Sequence, residues 1–145
     1  MKLLAALDLA HSSPAVLREA RIWAQRLAAR LWIVHVAPPN PDFVGYETGP
    51  ESVRDAVARQ FHSEHRQLET FAEDLRAAGI DAVALLLQGP TADTILREAD
   101  RLGVDAIVMG TFAHGPLREL LLGSAAKEVL RRSPRPVLLV PPLNQ

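Results

Sequence analysis

Three short stretches hold the residue types and spacings that could do chemistry. Asp8 directly follows the apolar run Leu3–Leu7. Gly110 directly follows Val104–Met109 and opens Gly110-Thr111-Phe112-Ala113-His114-Gly115-Pro116, and Gly123-Ser124 stands a little further on. An acidic residue and a glycine-containing loop at strand ends are the types that meet ligands where an open sheet reverses its strand order. Common phosphate motifs do not fit them. Gly110 and Gly115 have the Walker A spacing, but Pro116-Leu117 stand where Lys-Ser/Thr is required. No G-x-G-x-x-G follows the first apolar run, and Ser124 lacks the flanking glycines of a nucleophile elbow. Each position also has a plainer reading. Asp8 can bond the following Ser12-Ser13, Gly110 and Gly123 can serve close strand–helix packing, and Ser124 can bond back to a helix carbonyl. His62 and His65 form a lone H-x-x-H with no third ligand in sight, which reads as a solvated helix face. His35, Trp23 and Trp32 read as core residues. Arg131, Arg132 and Arg135 read as cations at a helix end.

The elements that must position these residues follow from hydrophobic spacing. Leu3–Leu7, Leu31–Val36, Ile80–Leu87, Val104–Met109 and Val137–Val140 are short apolar runs bounded by polar or turn residues, which suits strands buried on both faces. Between them Pro14–Ala29, Glu51–Ala78, Thr91–Leu102 and Leu117–Arg132 carry helical spacing. Ser12 or Ser13 is the first N-cap, and Gly79 and Gly103 mark helix ends. The resulting β-α-β-α-β-α-β-α-β order implies a parallel sheet with helices on both faces. Ala37–Pro50, with four prolines and two glycines, is expected to be a long surface loop near the end of the second strand.

Composition sets the outer bounds. The chain has 145 residues, 48% hydrophobic and 23% charged, with 16 Lys+Arg against 17 Asp+Glu and no cysteine. Residues 1–145 are expected to form one domain, and one core of that size needs no disulfide or metal. The missing cysteines exclude a thiolate zinc site, an iron–sulfur cluster and a Cys nucleophile. A net charge of −1 lacks the broad positive field of nucleic-acid or anionic-membrane binders. Asp8 ends the first apolar run after five residues, short of a signal h-region, and no stretch reaches the ~18 apolar residues of a membrane span. A soluble, cytoplasmic protein that binds neither nucleic acid nor membrane is the expectation.

The Asp-ending first strand, His35-Val36 closing Leu31–Val36, Gly89-Pro90, Val104-Asp105-Ala106-Ile107-Val108-Met109-Gly110 and Gly123-Ser124 before Arg135-Pro136-Val137-Leu138-Leu139-Val140 resemble the universal stress protein family. The resemblance spans nearly the whole chain. It implies an open five-stranded parallel sheet in order 3-2-1-4-5, of the Rossmann-like adenine-nucleotide hydrolase type, and a homodimer paired through Val137–Val140. Nucleotide-binding members show G-x2-G-x9-G-S/T after the fourth strand. Here the first glycine is Gly110, the second position is Ala113, and Gly123 and Ser124 complete the pattern. A residue other than glycine forced to positive φ costs about 1–2 kcal/mol, so Ala113 is expected to weaken a phosphate nest. Pro116 adds no N–H to it, and Gly115 is two positions late. By the same resemblance Asp8 meets the ribose, Val36 and Met109 the adenine, and Ser124 and Ala125 the phosphates, with His114 placed to touch one. The implied ligand is ATP or AMP, with Mg²⁺ alongside the phosphates. The function implied is a stress-responsive, nucleotide-binding switch that is not an enzyme. The alternatives are a dimeric interaction module without nucleotide, and a slow ATPase.

Overall fold

The structure, a computed structural model, describes residues 1–10, 12–38, 51–114 and 119–143. Most of the expected Ala37–Pro50 loop, together with Gly115 and Pro116, lies outside the described residues. Successive residues of the central strands face opposite sides of the sheet. In β1 (Lys2–Ala6), Leu3 and Ala5 enter one core layer and Leu4 the other. In β2 (Arg30–Ala37), Leu31 and Ile33 join the first layer, and Trp32, Val34 and Val36 the second. Both faces of these strands are therefore buried, which is why they read as continuous apolar runs.

Helix α1 (Ser13–Leu27), with Ser12 as N-cap, and α2 (Glu51–Ala77) cover the first layer. Each turns a row of small or branched residues to the sheet: Val16, Ala20 and Ala24 from α1, and Leu68, Ala72 and Leu75 from α2. After β3 (Ala82–Gln88) the chain crosses back through α3 (Thr91–Leu102) to β4 (Ala106–Gly110), then through α4 (Ser124–Arg132) to β7 (Val137–Val140). Ile95 and Ala99 of α3 and Ala126 and Val129 of α4 fill the second layer. The strands are parallel in the order β3-β2-β1-β4-β7, the expected 3-2-1-4-5 pattern. Right-handed crossovers require the helices to change faces when the strand order reverses beside β1.

Three expectations need correction. Residues after Gly110 form a hairpin: β5 (Phe112–His114) pairs antiparallel with β6 (Glu119–Leu121), with Ala113 opposite Leu120. The last helix accordingly begins at Ser124, not Leu117. The leucines between 117 and 122 suit either periodicity, and pairing decided between them. Trp23 is 43% exposed, not part of the core. It stands one residue before the buried Ala24, about 100° around the helix and off the narrow stripe that meets the sheet. Trp32 is buried as expected, with the Arg30 guanidinium 5.1 Å from its ring centre. The arginines near the last helix are paired within the chain. Arg131 bonds Glu128, Arg132 bonds Asp93, and Arg135 bonds Asp100 and donates to the Val104 carbonyl at 2.7 Å. No helix of the described residues is long and apolar enough to cross a membrane.

Candidate functional site

β1 and β4 lie side by side, with Ala6 opposite Met109, so their carboxyl ends bring Asp8 and Gly110 to one rim. This is the point where strand order reverses, the usual ligand crevice of an open α/β sheet. A cavity of about 260 Å³ opens there on the α3/α4 side. Val36, Met109, Ile95 and Ala126 give it an apolar floor. Asp8, Ser12, Thr91 and Gly123 supply polar groups at its edge. Two helices start at the same cavity. α3 begins after Pro90 and α4 after the extended Gly123, and neither has a side-chain cap among the described residues. In α4 the Lys127 N–H is bonded to the Gly123 carbonyl, so the three amides before it have no intrahelical acceptor. Such an end favours an anion.

Asp8 is wrapped by the backbone that follows it. Leu9 adopts a left-handed conformation, φ +56°, unusual for a branched residue. It turns the chain so that the Ala10 N–H donates to Asp8 Oδ1 at 2.9 Å. The Ser13 hydroxyl donates to the same oxygen at 2.9 Å, and the Ser12 hydroxyl to Oδ2 at 2.7 Å. Partial burial alone would raise the carboxyl pKa. The Ala10 amide, the two serine hydroxyls and the Ser12 amide together outweigh that and hold it below the ordinary value. The plainer reading of Asp8, a bond to Ser12-Ser13, is thus realised, and it leaves the residue facing the cavity.

Gly110 has a packing role. Its missing side chain would point away from Met109 and towards α1, placing a Cβ 2.5 Å from Ser12 Cβ, 2.6 Å from Ser12 Oγ and 3.1 Å from Val16 Cγ2. Only glycine lets α1 start this close to β4. Ala113 lies in the extended strand β5, so the strain expected of a left-handed residue does not arise there. His35 is largely buried and hydrogen-bonded: its Nδ1 lies 2.8 Å from the Leu7 carbonyl, which can only accept, so that nitrogen holds the proton. Its Nε2 is 3.7 Å from Glu64 Oε2 of α2.

Of the residues singled out from the sequence, Asp8, Val36, Met109, Gly110, Gly123 and Ala125 meet around this cavity. Ser124 is exposed in the first turn of α4 and does not line it. Ala113 and His114 lie in β5, and Gly115 lies outside the described residues. Ser12, Thr91 and His35 also line the cavity, although their residue types and spacing do not mark them for it. Ser12 is at least local to Asp8, four residues on, whereas Thr91 is carried there by the crossover of α3 alone. Among the described residues no three His, Asp or Glu side chains come together as a metal site, and His62 and His65 are exposed on α2.

The family model for the universal stress protein family matches residues 1–141. A universal stress protein of Thermus aquaticus is 37% identical over 122 residues, 83% of this chain and 84% of the relative. Two solved structures share the fold at TM-score 0.65 and 24% identity. One is a universal stress protein of Archaeoglobus fulgidus in complex with dAMP, with 97% of each chain covered. The other is a universal stress protein in complex with cAMP, covering 99% of this chain and 98% of its own.

Proposed function

The chain belongs to the universal stress protein family, and from that premise we propose that it binds an adenine nucleotide in the cavity between β1 and β4 and acts as a homodimeric, stress-responsive switch in the cytoplasm. The observation that carries the reading is the uncapped start of α4 facing a cavity with an apolar floor and an acidic rim. These are the three environments a nucleotide needs. Val36 and Met109 offer apolar contact to the base, Asp8 accepts from the ribose, and the amides of Ser124 and Ala125 meet phosphate. Ala113 and His114, in β5, follow Gly110 closely in the chain. A nucleotide would be stabilised without a basic surface, in keeping with the net charge of −1. Asp8 is the one carboxylate among the described lining residues, so Mg²⁺ would be held chiefly by the nucleotide's own phosphates. The dAMP and cAMP complexes of related folds support the same ligand class. The edge strand β7, with Val137, Leu138 and Leu139 half-buried, is the surface proposed to pair with a second copy.

A second reading is a dimeric interaction module without nucleotide. It is favoured by Gly110, whose glycine is explained by Ser12 with no ligand. Calorimetric titration with ATP and AMP, with and without Mg²⁺, separates the two. Saturable binding below millimolar concentration is expected, and no heat at millimolar nucleotide would leave the interaction module. Phosphate release from bound ATP would instead make the protein a slow ATPase.

A further inference from the structure

We propose that His35 is a positioning residue for the rim of the cavity: its ring fastens the point where β1 leaves the sheet and so sets where Asp8 stands. In its effect on a ligand this role rests on the nucleotide reading above. The ladder between β1 and β2 ends where the Leu7 N–H donates to the Val34 carbonyl at 2.8 Å. The left-handed turn at Leu9, φ +56°, then carries the chain away towards α1. The Leu7 carbonyl stands at that exit in a residue only 4% exposed, where an acceptor without a donor is costly. His35 supplies the donor from its side chain, with Nδ1 2.8 Å from the oxygen. A carbonyl only accepts, so the proton sits on Nδ1. This carbonyl shares one planar peptide unit with the Asp8 N–H, and holding one end of the plane holds the other.

The ring is braced from its far side. His35 follows Leu31 and Ile33 at every second position of β2, on the face that α1 and α2 cover. There its Nε2 lies 3.7 Å from Glu64 Oε2 of α2, and the Gln60 amide donates to Glu64 Oε1 at 3.2 Å. The His35 and Glu64 side chains are only 11% and 17% exposed, so neither swings freely. His35 borders the cavity, yet one ring nitrogen is on the Leu7 carbonyl and the other faces Glu64, which leaves none for a ligand. Its part is to act through Asp8. Loosening the Leu7–Asp8 peptide would draw the carboxylate off the Ala10 amide and the Ser12 and Ser13 hydroxyls that hold it.

The test uses two amides, each standing in for one ring nitrogen. In His35→Asn the amide nitrogen falls near the place of Nδ1 and can still donate to Leu7. In His35→Gln it falls near the place of Nε2, facing Glu64, and leaves the Leu7 carbonyl without its donor. Positioning is read on the free protein from the Asp8 carboxyl titration, followed by carbon NMR. The carboxyl should stay below its ordinary range in the parent and in His35→Asn, and rise towards that range in His35→Gln. By calorimetry ATP should bind His35→Asn within about twofold of the parent, and His35→Gln about fivefold or more weakly, the scale of one lost hydrogen bond. Equal effects of the two variants on either readout would make the ring a packing element and overturn the inference. An Asp8 titration unmoved in His35→Gln would do the same. On the unaltered protein, long-range proton–nitrogen NMR should find the His35 proton on Nδ1; a ring protonated on Nε2 alone cannot donate to Leu7 and overturns the inference without any variant. Failure of ATP to bind the parent would remove the nucleotide reading, while the Asp8 titration and the ring tautomer would still decide the role of His35.

Discussion

Replacing Gly110 by alanine tests whether this glycine belongs to the packing of the fold or to its ligand. The added Cβ would lie 2.5 Å from Ser12 Cβ and 2.6 Å from Ser12 Oγ, whereas carbon atoms pack best at about 3.5–4.0 Å. A shift of about 1 Å is therefore needed, and the obstacle is no flexible chain end. Ser12 is the N-cap of α1, buried, and bonded to Asp8. Either the start of α1 lifts from β4 or the Ser12–Asp8 hydrogen bond breaks. Overpacking of this kind costs about 1–3 kcal/mol. With about 2 kcal/mol lost, the melting temperature of a chain this long should fall by roughly 4–8 °C. Urea unfolding followed by circular dichroism should show a lower midpoint at an unchanged slope. Ser12→Gly in the same background removes the colliding atoms, so the double variant should be more stable than the sum of the two single losses by about 0.5 kcal/mol or more. A Gly110→Ala protein within about 0.5 kcal/mol of the parent, or strictly additive losses, would refute the packing argument and return Gly110 to a ligand role.

Three further outcomes are expected. The folded-state pKa of Asp8 lies below its unfolded value, so its contribution to stability is complete above the ordinary carboxyl pKa of about 3.9. It is lost as pH falls through the lower folded value. Asp8→Asn should therefore flatten the acid limb of stability against pH measured by urea unfolding, and an unchanged acid limb would contradict the role given to these hydrogen bonds. Ala28 ends α1 with φ +46°; Ala28→Gly should relieve that strain and raise stability by about 0.5–1 kcal/mol, and a loss in thermal unfolding would argue against it. Leu139 is half-buried in the edge strand β7, and Leu139→Lys should convert the proposed dimer to a folded monomer in sedimentation velocity. A parent chain that sediments as a monomer at micromolar concentration would remove β7 as an interface.

Much of this architecture was legible in the residues. Leu3–Leu7 and Leu31–Val36 declare buried strands because both of their faces are apolar, and Val16, Ala20 and Ala24 declare a helix by their spacing. Those are local signals. Right-handed crossovers alone require helices on both faces once strands and helices alternate; the particular order 3-2-1-4-5 came from family resemblance. The Asp8–Gly110 crevice followed, since strand order decides which carboxyl ends lie together.

Contacts between distant segments were settled by tertiary structure. Leu120 and Leu121 could continue a helix or form a strand, and pairing with Phe112–His114 made them a strand and moved the start of α4 to Ser124. Trp23 looked like core until the small residues of α1 set which narrow stripe meets the sheet. Gly110 looked like part of a phosphate loop. That it faces Ser12, nearly a hundred residues earlier in the chain, depends on α1 lying across β4. The same approach sets the Ser12 and Ser13 hydroxyls on Asp8. The sequence by itself determined which elements form and that a carboxylate stands at a strand end. How much of that carboxylate remains for a ligand was decided by packing, because a hydrogen-bonding position is filled only when the whole fold brings a donor within about 3 Å of it.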